Sequence, residues 1–281
     1  MALKATTDCM SDLLKLQLPE TQRRLIPVSM NDLIRVGRDH DGGYVLPRRL
    51  IEAADTVLAL GLNDDWSFEQ GLLELRPVLR VDGYDPSVSR KQFTTAAVVD
   101  LIRLVALRGT FAQLKGRVAT VRSYDRLFSG DNRHFEQKIT NRPRGDGESD
   151  LTGALDRLGG DRVLLKMDIE GSEYRVIDQV VDNASRIVGA CIEFHDTEPF
   201  RAAFDHAIEQ LLTRFSIAHV HPNNYGGIAA DGLPDVLEIT FVNRSVFADL
   251  DYRSAIFLPE LDQPNSVLYP ELSLEACDEP R

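Results

Sequence analysis

Cysteine is scarce in this sequence, and its spacing predicts no crosslink. Cys9, Cys191 and Cys277 are far apart, odd in number and free of any C-x-x-C spacing. Disulfide frameworks and thiolate zinc sites both need paired or clustered cysteines, so neither is indicated. The pattern favours a reducing, cytoplasmic environment.

Long apolar runs are also missing. No stretch approaches the roughly 18 apolar residues that span a bilayer. The first ten residues contain one lysine and no apolar segment of the kind found in signal peptides. We therefore expect neither membrane insertion nor secretion through a recognisable signal.

Positive charge is in deficit. The chain has 32 lysines and arginines against 44 aspartates and glutamates, which gives a formal net charge of -12. Such a chain repels phosphate backbones and anionic lipids in general, unless basic residues cluster locally. Nucleic acid is therefore a disfavoured partner.

Short apolar runs alternate with helical patterns along most of the chain, which predicts an α/β fold with a doubly wound, mainly parallel sheet. At 281 residues, one large domain is the simplest expectation. Helices are predicted after Thr197 and from Ser172, a good N-cap residue. The predicted strands are 56–62, 78–84, 118–123, 163–169, 187–194, 216–221 and 236–242.

Three regions frame this pattern. We expect an N-terminal extension over 1–34, the main domain over 35–244, and a C-terminal tail over 245–281 that wraps the domain. Residues 125–149 are polar and carry several basic side chains. They read equally well as a mobile lid over the substrate or as a disordered insertion.

The first predicted strand ends in a tight acidic turn from Leu60 to Glu69. It contains one glycine, Gly61, so the G-x-G-x-x-G fingerprint of dinucleotide-binding proteins is absent. Asp64 and Asp65 would repel a pyrophosphate but suit a cationic ligand such as S-adenosylmethionine. The alternative is an ordinary solvated turn.

The second predicted strand ends at Asp85, 24 residues after Gly61. An acid at this place in a doubly wound fold can accept hydrogen bonds from both ribose hydroxyls of an adenosine ligand. Because Asp before Pro86 is also a common turn starter, the residue alone is weak evidence. Together with the acidic turn it supports a nucleoside ligand.

The fourth predicted strand runs into Lys166-Met167-Asp168-Ile169-Glu170-Gly171-Ser172-Glu173. This segment resembles the K-x-D-x-E-G-x-E signature of the FkbM-like S-adenosylmethionine-dependent methyltransferases. Asp65 departs from the wider pattern, which often has a second glycine there. Further segments that resemble a DGGY-containing branch of that family are 38–45, 61–69, 219–224 and 234–238, so the resemblance spans about 35–244.

The resemblance implies a seven-stranded, Rossmann-like class I methyltransferase sheet with a final antiparallel strand. It also implies methyl transfer to a hydroxyl of a sugar, a glycan or a related natural product. The Gly42-Gly43 pair would let the backbone pass close to the cofactor before the chain enters the sheet, and Tyr44 would then cover its methionine end. The residues predicted to bind the cofactor are Asp41, Gly43, Tyr44, Gly61, Asn63, Asp65 and Asp85.

Polar residues collect at the carboxyl ends of the fourth to sixth predicted strands: Asp168, Glu193, His195 and His221. Such ends line one crevice in an open α/β sheet. A histidine, His195 or His221, could remove the proton of an acceptor hydroxyl, with Asp168 as a third catalytic residue. Alternatively Asp168, Glu193 and His221 could bind Mg²⁺ or Mn²⁺. In the plainest interpretation, His219 and His221 only satisfy loop backbone groups.

Two other functions remain open at this point. Asp39 and Asp41 spell the D-x-D that binds a metal in nucleotide-sugar glycosyltransferases, although they precede the first strand of the sheet. A non-catalytic binding module on a methyltransferase scaffold is the other alternative. The remaining histidines, His40, His134 and His206, are predicted to be surface residues.

Overall fold

The computed structural model describes residues 13–251, 257 and 259–276. Its strands are β1 (Leu14–Gln17), β2 (Leu33–Val36), β3 (Tyr44–Pro47), β4 (Thr56–Leu60), β5 (Arg80–Tyr84), β6 (Arg133–Phe135), β7 (Lys138–Ile139), β8 (Glu148–Ser149), β9 (Val163–Met167), β10 (Ile187–Phe194), β11 (Phe215–Pro222), β12 (Leu237–Asn243) and β13 (Leu272–Glu275). Its α-helices are α1 (Arg48–Ala53), α2 (Ser67–Leu75), α3 (Arg90–Val105), α4 (Phe111–Leu127), α5 (Leu151–Leu158), α6 (Ile177–Asp182) and α7 (Arg201–Leu211), and 3-10 turns cover Glu20–Leu25, Glu173–Arg175 and Pro259–Leu261.

Seven strands form the central sheet in the order β11-β12-β10-β9-β4-β5-β6. The pairs from β10 to β6 are parallel, and β12 is antiparallel to both β10 and β11. The predicted doubly wound, mainly parallel sheet with a late antiparallel strand is confirmed. In this register Leu60 lies opposite both Tyr84 and Met167, so the chain leaves β4, β5 and β9 at one edge.

Both faces of the sheet are covered, because successive side chains on a strand point to opposite sides. Leu58 and Leu165 belong to a core cluster that includes α5, α6 and α7. Val57 and Leu164 belong to a second cluster that includes α1, α2 and the β2-β3 hairpin. The sheet is therefore the middle layer of three.

The predicted strand over 118–123 is wrong, because these residues lie inside α4. Thr110 and Gln113 form a capping box that starts this helix, and the apolar run continues as part of it. The edge position in the sheet is taken instead by β6, whose Arg133-His134-Phe135 sequence is too short and polar to predict a strand. The segment is a strand because it pairs with β5.

The segment 125–149 contains regular structure, so its reading as a wholly disordered insertion is wrong. It includes the end of α4, strand β6 and the parallel pair β7-β8, and it buries Ile139. The helix predicted from Ser172 begins differently as well. Ser172 makes no side-chain capping bond, and a 3-10 turn precedes α6.

The C-terminal part of the chain packs against the β11-β12 side of the sheet. Strand β13 pairs in parallel with β1. Between Asp262 and Glu271 the chain places several polar side chains over β11 and β12. His219 Nε2 lies 2.7 Å from an Asp262 oxygen, and Asn265 donates to Glu238 at 2.6 Å.

Glu69, in the first turn of α2, is a buried carboxyl group with an unusual environment. Its Oε1 has no hydrogen-bond partner among the residues that the structure describes. Burial raises the pKa of Glu69 to about 7, although the positive charge of Lys166 opposes the shift. The folded state therefore holds this proton over a pH range in which the unfolded chain releases it.

Replacing Glu69 by Gln is predicted to flatten the dependence of stability on pH. Because the folded pKa is raised, Glu69 makes the native protein less stable as pH rises from about 4.5 through about 7. The free energy of unfolding of wild type should fall relative to Glu69→Gln by roughly 3 kcal/mol between pH 4 and pH 8. Urea unfolding at both pH values measures this, with exposed Glu74→Gln on the same helix as control. Equal pH slopes in wild type and Glu69→Gln would contradict the prediction.

Candidate active site at the strand ends

A cavity of about 320 Å³ lies where the chain leaves β4, β5 and β9. Small-molecule pockets commonly measure about 300–1,000 Å³. Three residues predicted to bind the cofactor, Gly61, Asn63 and Asp85, contribute to its wall together with Asp168. The other lining residues are Tyr84, Pro86, Ser87, Gln137, Lys138, Ile139, Ile169 and Glu170.

Gly61 allows the turns after β4 and β9 to meet. Its φ is +82°, a conformation that side chains disfavour, and a Cβ placed there would lie 1.6 Å from the backbone oxygen of Asp168. Asp168 also donates its backbone N–H to the oxygen of Leu60 at 2.9 Å. Only glycine fits, so this glycine fixes where Asp168 stands.

Lys166 is the buried cation of the site. Its Nζ donates to the backbone oxygen of Gly61 and to Asp168 Oδ2 at 3.3 Å. Burial alone would lower the pKa of Lys166, but the negative charges of Asp168 and Glu69 raise it above its ordinary value. Lys166 is therefore a charged anchor that holds both turns.

Asp85 has a full set of hydrogen bonds. Its Oδ2 accepts the backbone N–H groups of Leu62 and Asn63, both at 2.8 Å. Its Oδ1 accepts the backbone N–H and the hydroxyl of Ser87, at 2.7 and 2.6 Å. A carboxylate offers about four lone-pair sites. A ribose hydroxyl can reach Asp85 if the Ser87 hydroxyl turns away.

These bonds also decide the ionisation of Asp85. Burial would raise the pKa of its carboxyl group, but the hydrogen bonds from Ser87, Asn63 and Leu62 bring it below the ordinary value. Asp85 is thus an anion at neutral pH.

The lining of the cavity is partly apolar and partly acidic. Pro86, Ile139 and Ile169 provide apolar surface of the kind an adenine ring needs. Asp168 and Glu170 add negative charge to the lining, which favours a cationic ligand.

His195 stands among four carboxyl groups next to this wall. Its Nε2 lies 3.6 Å from Glu193 Oε1, 3.6 Å from Glu170 Oε2 and 3.9 Å from Asp168 Oδ1. Its Nδ1 lies 3.3 Å from Glu173 Oε1. Ligand atoms of Asp168, Glu193 and His195 lie within 4.8 Å of one another, close enough to share one metal ion.

Two glutamates hold the cluster in place. Glu173 is fully buried, and its Oε1 also accepts the backbone N–H groups of Ile169 and Gly171. Glu193 accepts hydrogen bonds from the amide of Asn223 at 2.9 Å and from the hydroxyl of Tyr44 at 3.4 Å. The cluster is therefore braced by residues around the imidazole.

The negative charge around His195 shifts its ionisation. Burial would lower the pKa of His195, but the hydrogen bond to Glu173 and the charges of Glu193, Glu173 and Asp168 raise it to about 9. Burial and the neighbouring Asp168 and Glu238 raise the pKa of Glu193 well above its ordinary value. With a pKa of about 9, His195 is an imidazolium at neutral pH.

The structure does not bring His221 into this cluster. Its Nδ1 lies 3.2 Å from Glu238 Oε2 and its Nε2 lies 3.0 Å from Glu271 Oε1. Burial would lower the pKa of His221, but the charges of Asp262 and Glu238 raise it well above the ordinary value. With both ring nitrogens engaged, His221 has no free atom for a metal or a substrate proton, and His195 takes its predicted place.

The remaining predicted cofactor residues lie beside the cavity and do not line it. Asp65 accepts from the backbone N–H of Ser67 at 3.0 Å and pairs with Arg38 at 3.0 Å, so it organises the start of α2. A Cβ on Gly42 would lie 1.9 Å from Asp65 Oδ2. The glycine pair thus serves the contact between the DGGY segment and this turn.

Tyr44 and Asp41 flank the acidic cluster. Tyr44 is buried, packs edge-on against Phe68 and donates to Glu193. Burial raises the pKa of Asp41, and the charge of Glu238 adds to that shift. Gly43 lies between them, where a Cβ would come within 2.6 Å of the Arg38 oxygen.

Of the histidines predicted to be on the surface, two are. His40 and His206 are exposed, but His134 is partly buried. Its Nδ1 lies 2.7 Å from the hydroxyl of Tyr124 and its Nε2 lies 3.2 Å from the Asp85 backbone oxygen. It joins α4 to the cavity wall.

Lys166, Glu173 and Asn223 are site residues to which the sequence analysis assigned no role. All three lie in segments that resemble the family, and Lys166 and Glu173 are letters of the K-x-D-x-E-G-x-E signature. A charged residue within a buried strand, such as Lys166 in β9, is the signal that could have identified one of them.

Replacing Gly61 by Ala is predicted to disrupt both the strand ends and ligand binding. The added Cβ would strain the +82° φ and collide with the Asp168 backbone, so the turns must separate. We expect a loss of about 2 kcal/mol or more in stability and loss of measurable S-adenosylhomocysteine binding. Thermal unfolding and titration calorimetry measure the two effects. Gly227→Ala is the matched control, since a Cβ there meets nothing within 4 Å. Wild-type binding by Gly61→Ala would contradict the prediction.

One comparison with known proteins points to a methyltransferase domain at this site. Residues 154–219 match the family model described as the methyltransferase FkbM domain. No curated protein matches the chain significantly.

The described part of the chain contains no helix with the length and apolar character of a membrane span.

Similar solved structures are distant in sequence. One is the Methanococcus jannaschii fibrillarin pre-rRNA processing protein, at 10% identity, with 69% of this chain and 68% of that chain covered and a TM-score of 0.35. Another is the precorrin-6y C5,15-methyltransferase from Geobacter metallireducens GS-15, at 14% identity, with 69% and 83% covered and a TM-score of 0.35.

The matched range contains the K-x-D-x-E-G-x-E segment, Glu193 and His195, and thus most of the acidic cluster. The match supports a methyltransferase that uses S-adenosylmethionine. The resemblance of this chain to the FkbM-like S-adenosylmethionine-dependent methyltransferases, predicted from its motifs, is confirmed.

Proposed function

We propose that the protein is an S-adenosylmethionine-dependent O-methyltransferase whose acceptor is a hydroxyl group of a sugar, a glycan or a related natural product. The observation that carries the proposal is the position of the acidic cluster around His195, directly beside a cavity that fits the cofactor. Chemistry on a hydroxyl needs a group that holds or removes its proton. The acidic cluster provides such groups.

Asp85 and the turn after β4 would bind the cofactor. Asp85 would accept from the ribose once the Ser87 hydroxyl turns, while Gly61, which meets the Asp168 backbone, lines the side nearer Asp168. When bound, S-adenosylmethionine supplies a methyl group on a positively charged sulfur. Asp168 and Glu170 favour that charge electrostatically, and the apolar wall excludes water from the adenine.

The acceptor hydroxyl would lie on the β10 side of Asp168, within reach of His195 and Glu193. A positive ligand charge beside Asp168 disfavours protons on its neighbours, so it lowers the pKa of His195 toward neutrality. His195 can then take the hydroxyl proton, and Glu173 keeps the imidazole oriented through Nδ1. Asn223 and Tyr44 hold Glu193 in place.

The same residues fit a divalent cation. Asp168, Glu193 and His195 offer two carboxylate oxygens and one imidazole nitrogen, donors that Mg²⁺ or Mn²⁺ accepts. A metal there would orient and acidify sugar hydroxyls. This ligand set replaces the one predicted from sequence, because His221 is held between Glu238 and Glu271.

The glycosyltransferase alternative has less support in the geometry. Asp39 accepts from Gln263 at 3.2 Å, and Asp41 lies 3.7 Å from Arg38. These contacts tie the two carboxylates to neighbouring loops. No observation favours a nucleotide-sugar site there over the strand-end cavity.

His195→Gln tests the chemistry. We expect kcat to fall by about a hundredfold or more, because positioned proton transfer commonly contributes roughly 10²–10⁴ in rate. The dissociation constant for S-adenosylmethionine should not rise, since His195 does not line the cavity and the substitution removes a positive charge that would repel the sulfonium. Methyl transfer to a panel of sugar acceptors and titration calorimetry give the two values.

His206→Gln, an exposed histidine on α7, is the matched control and should retain wild-type activity. Loss of activity in a chelator with recovery in Mg²⁺ or Mn²⁺ would assign the cluster to a metal. Full activity of both His195→Gln and Asp168→Asn on an acceptor that wild type methylates would refute the site. Binding of nucleotide sugars without binding of S-adenosylhomocysteine would refute the methyltransferase.

A further inference from the structure

Helices α3 and α4 form a hairpin that projects from the domain between β5 and β6. Only its base is packed: Tyr124 and Leu127 of α4 are buried with Trp66, whereas α3 buries no residue at all. Trp66 also donates to Ser123 at 2.9 Å. Since α3 has 16 residues, the hairpin extends about 24 Å.

An apolar stripe runs along the outer side of α3. Val98, Leu101, Ile102 and Val105 follow the i, i+3, i+4, i+7 spacing of one helix face, which normally faces a core. Here their exposed fractions are 50%, 48%, 62% and 78%. Beyond the end of α3, at the tip of the hairpin, Leu107 is 92% exposed. Exposed apolar side chains gathered on one helix face mark an interaction site.

The hairpin is basic although the protein is acidic. Between Arg90 and Leu127 there are eight basic and two acidic residues. Asp100 pairs with Arg103 and Arg117, and Asp125 pairs with Arg90. Over residues 13–251, 257 and 259–276, no carboxylate forms an ion pair with the other basic side chains of the hairpin: Lys91, Arg108, Lys115, Arg122 and Arg126. At physiological salt the Debye length is about 8 Å, so the acidic body hardly offsets the charge at the tip.

We propose that this hairpin binds the surface of an anionic lipid bilayer. An exposed apolar helix face on a hairpin that also carries exposed cations suits a bilayer interface, with aliphatic side chains among the acyl chains and cations at the headgroups. A second copy of this chain would bring two basic hairpins together. A nucleic acid would neutralise the cations but leave the aliphatic stripe in water. The proposal is independent of the methyl-transfer chemistry.

Vesicle flotation tests the proposal. The full-length protein should float with vesicles of phosphatidylcholine and phosphatidylglycerol, and far less with phosphatidylcholine alone. Two pairs of substitutions should each weaken binding by about tenfold or more. The apolar pair is Ile102→Gln with Leu107→Asn; Leu107 has a φ of +58°, which asparagine accepts readily. The charge pair is Arg108→Gln with Lys115→Gln.

Leu75→Gln with Val78→Ser is the matched control, because both side chains are exposed aliphatics outside the hairpin. It should bind vesicles as wild type does, and the thermal midpoints of all variants should stay close to that of wild type. Absence of binding to anionic vesicles, or wild-type binding by both hairpin variants, would overturn the proposal. So would sedimentation velocity that shows a wild-type dimer which the apolar pair dissociates, because a second copy would then cover the stripe.

Discussion

The close approach of two turns, after β4 and after β9, is the constraint on which the site depends. No side chain fits between Gly61 and the backbone of Asp168, and Lys166 donates hydrogen bonds to both turns. This contact determines where the cavity opens and where Asp168 stands relative to His195. The contact requires a backbone conformation at Gly61 that residues other than glycine disfavour. The β4 and β9 turns, 107 residues apart in sequence, thus act as one structural unit.

The same arrangement gathers an excess of negative charge around His195. Asp168, Glu170, Glu173 and Glu193 surround one imidazole, and Lys166 compensates them only in part. Burial and the neighbouring negative charges raise the pKa of Glu193, and the hydrogen bond to Glu173 together with those charges raises the pKa of His195. A sulfonium or a divalent ion would relieve the same repulsion. The electrostatics therefore favour a positively charged ligand, and this argument does not depend on which acceptor is methylated.

The sheet and much of the site could be predicted from the sequence because they depend on local patterns. Buried parallel strands such as β9 and β10 are mostly apolar runs, and polar residues at or directly after their ends must meet at one edge. In the predicted metal-ligand set, His195 takes the place of His221. This could not be predicted, because His221 is engaged by Glu271, which lies far away in the sequence. The hairpin was also missed, because residues 118–123 resemble a strand until the Thr110 cap and the packing of Tyr124 are known.

The central claim is that the strand-end cavity binds S-adenosylmethionine, and a crystal structure with S-adenosylhomocysteine tests it most directly. The account predicts the ribose hydroxyls within hydrogen-bonding distance of Asp85, with the Ser87 hydroxyl turned away from Oδ1. It also predicts the ligand sulfur on the Asp168 side of the cavity. A ligand bound elsewhere, or Asp85 with all four of its present hydrogen bonds and no ribose contact, would contradict it.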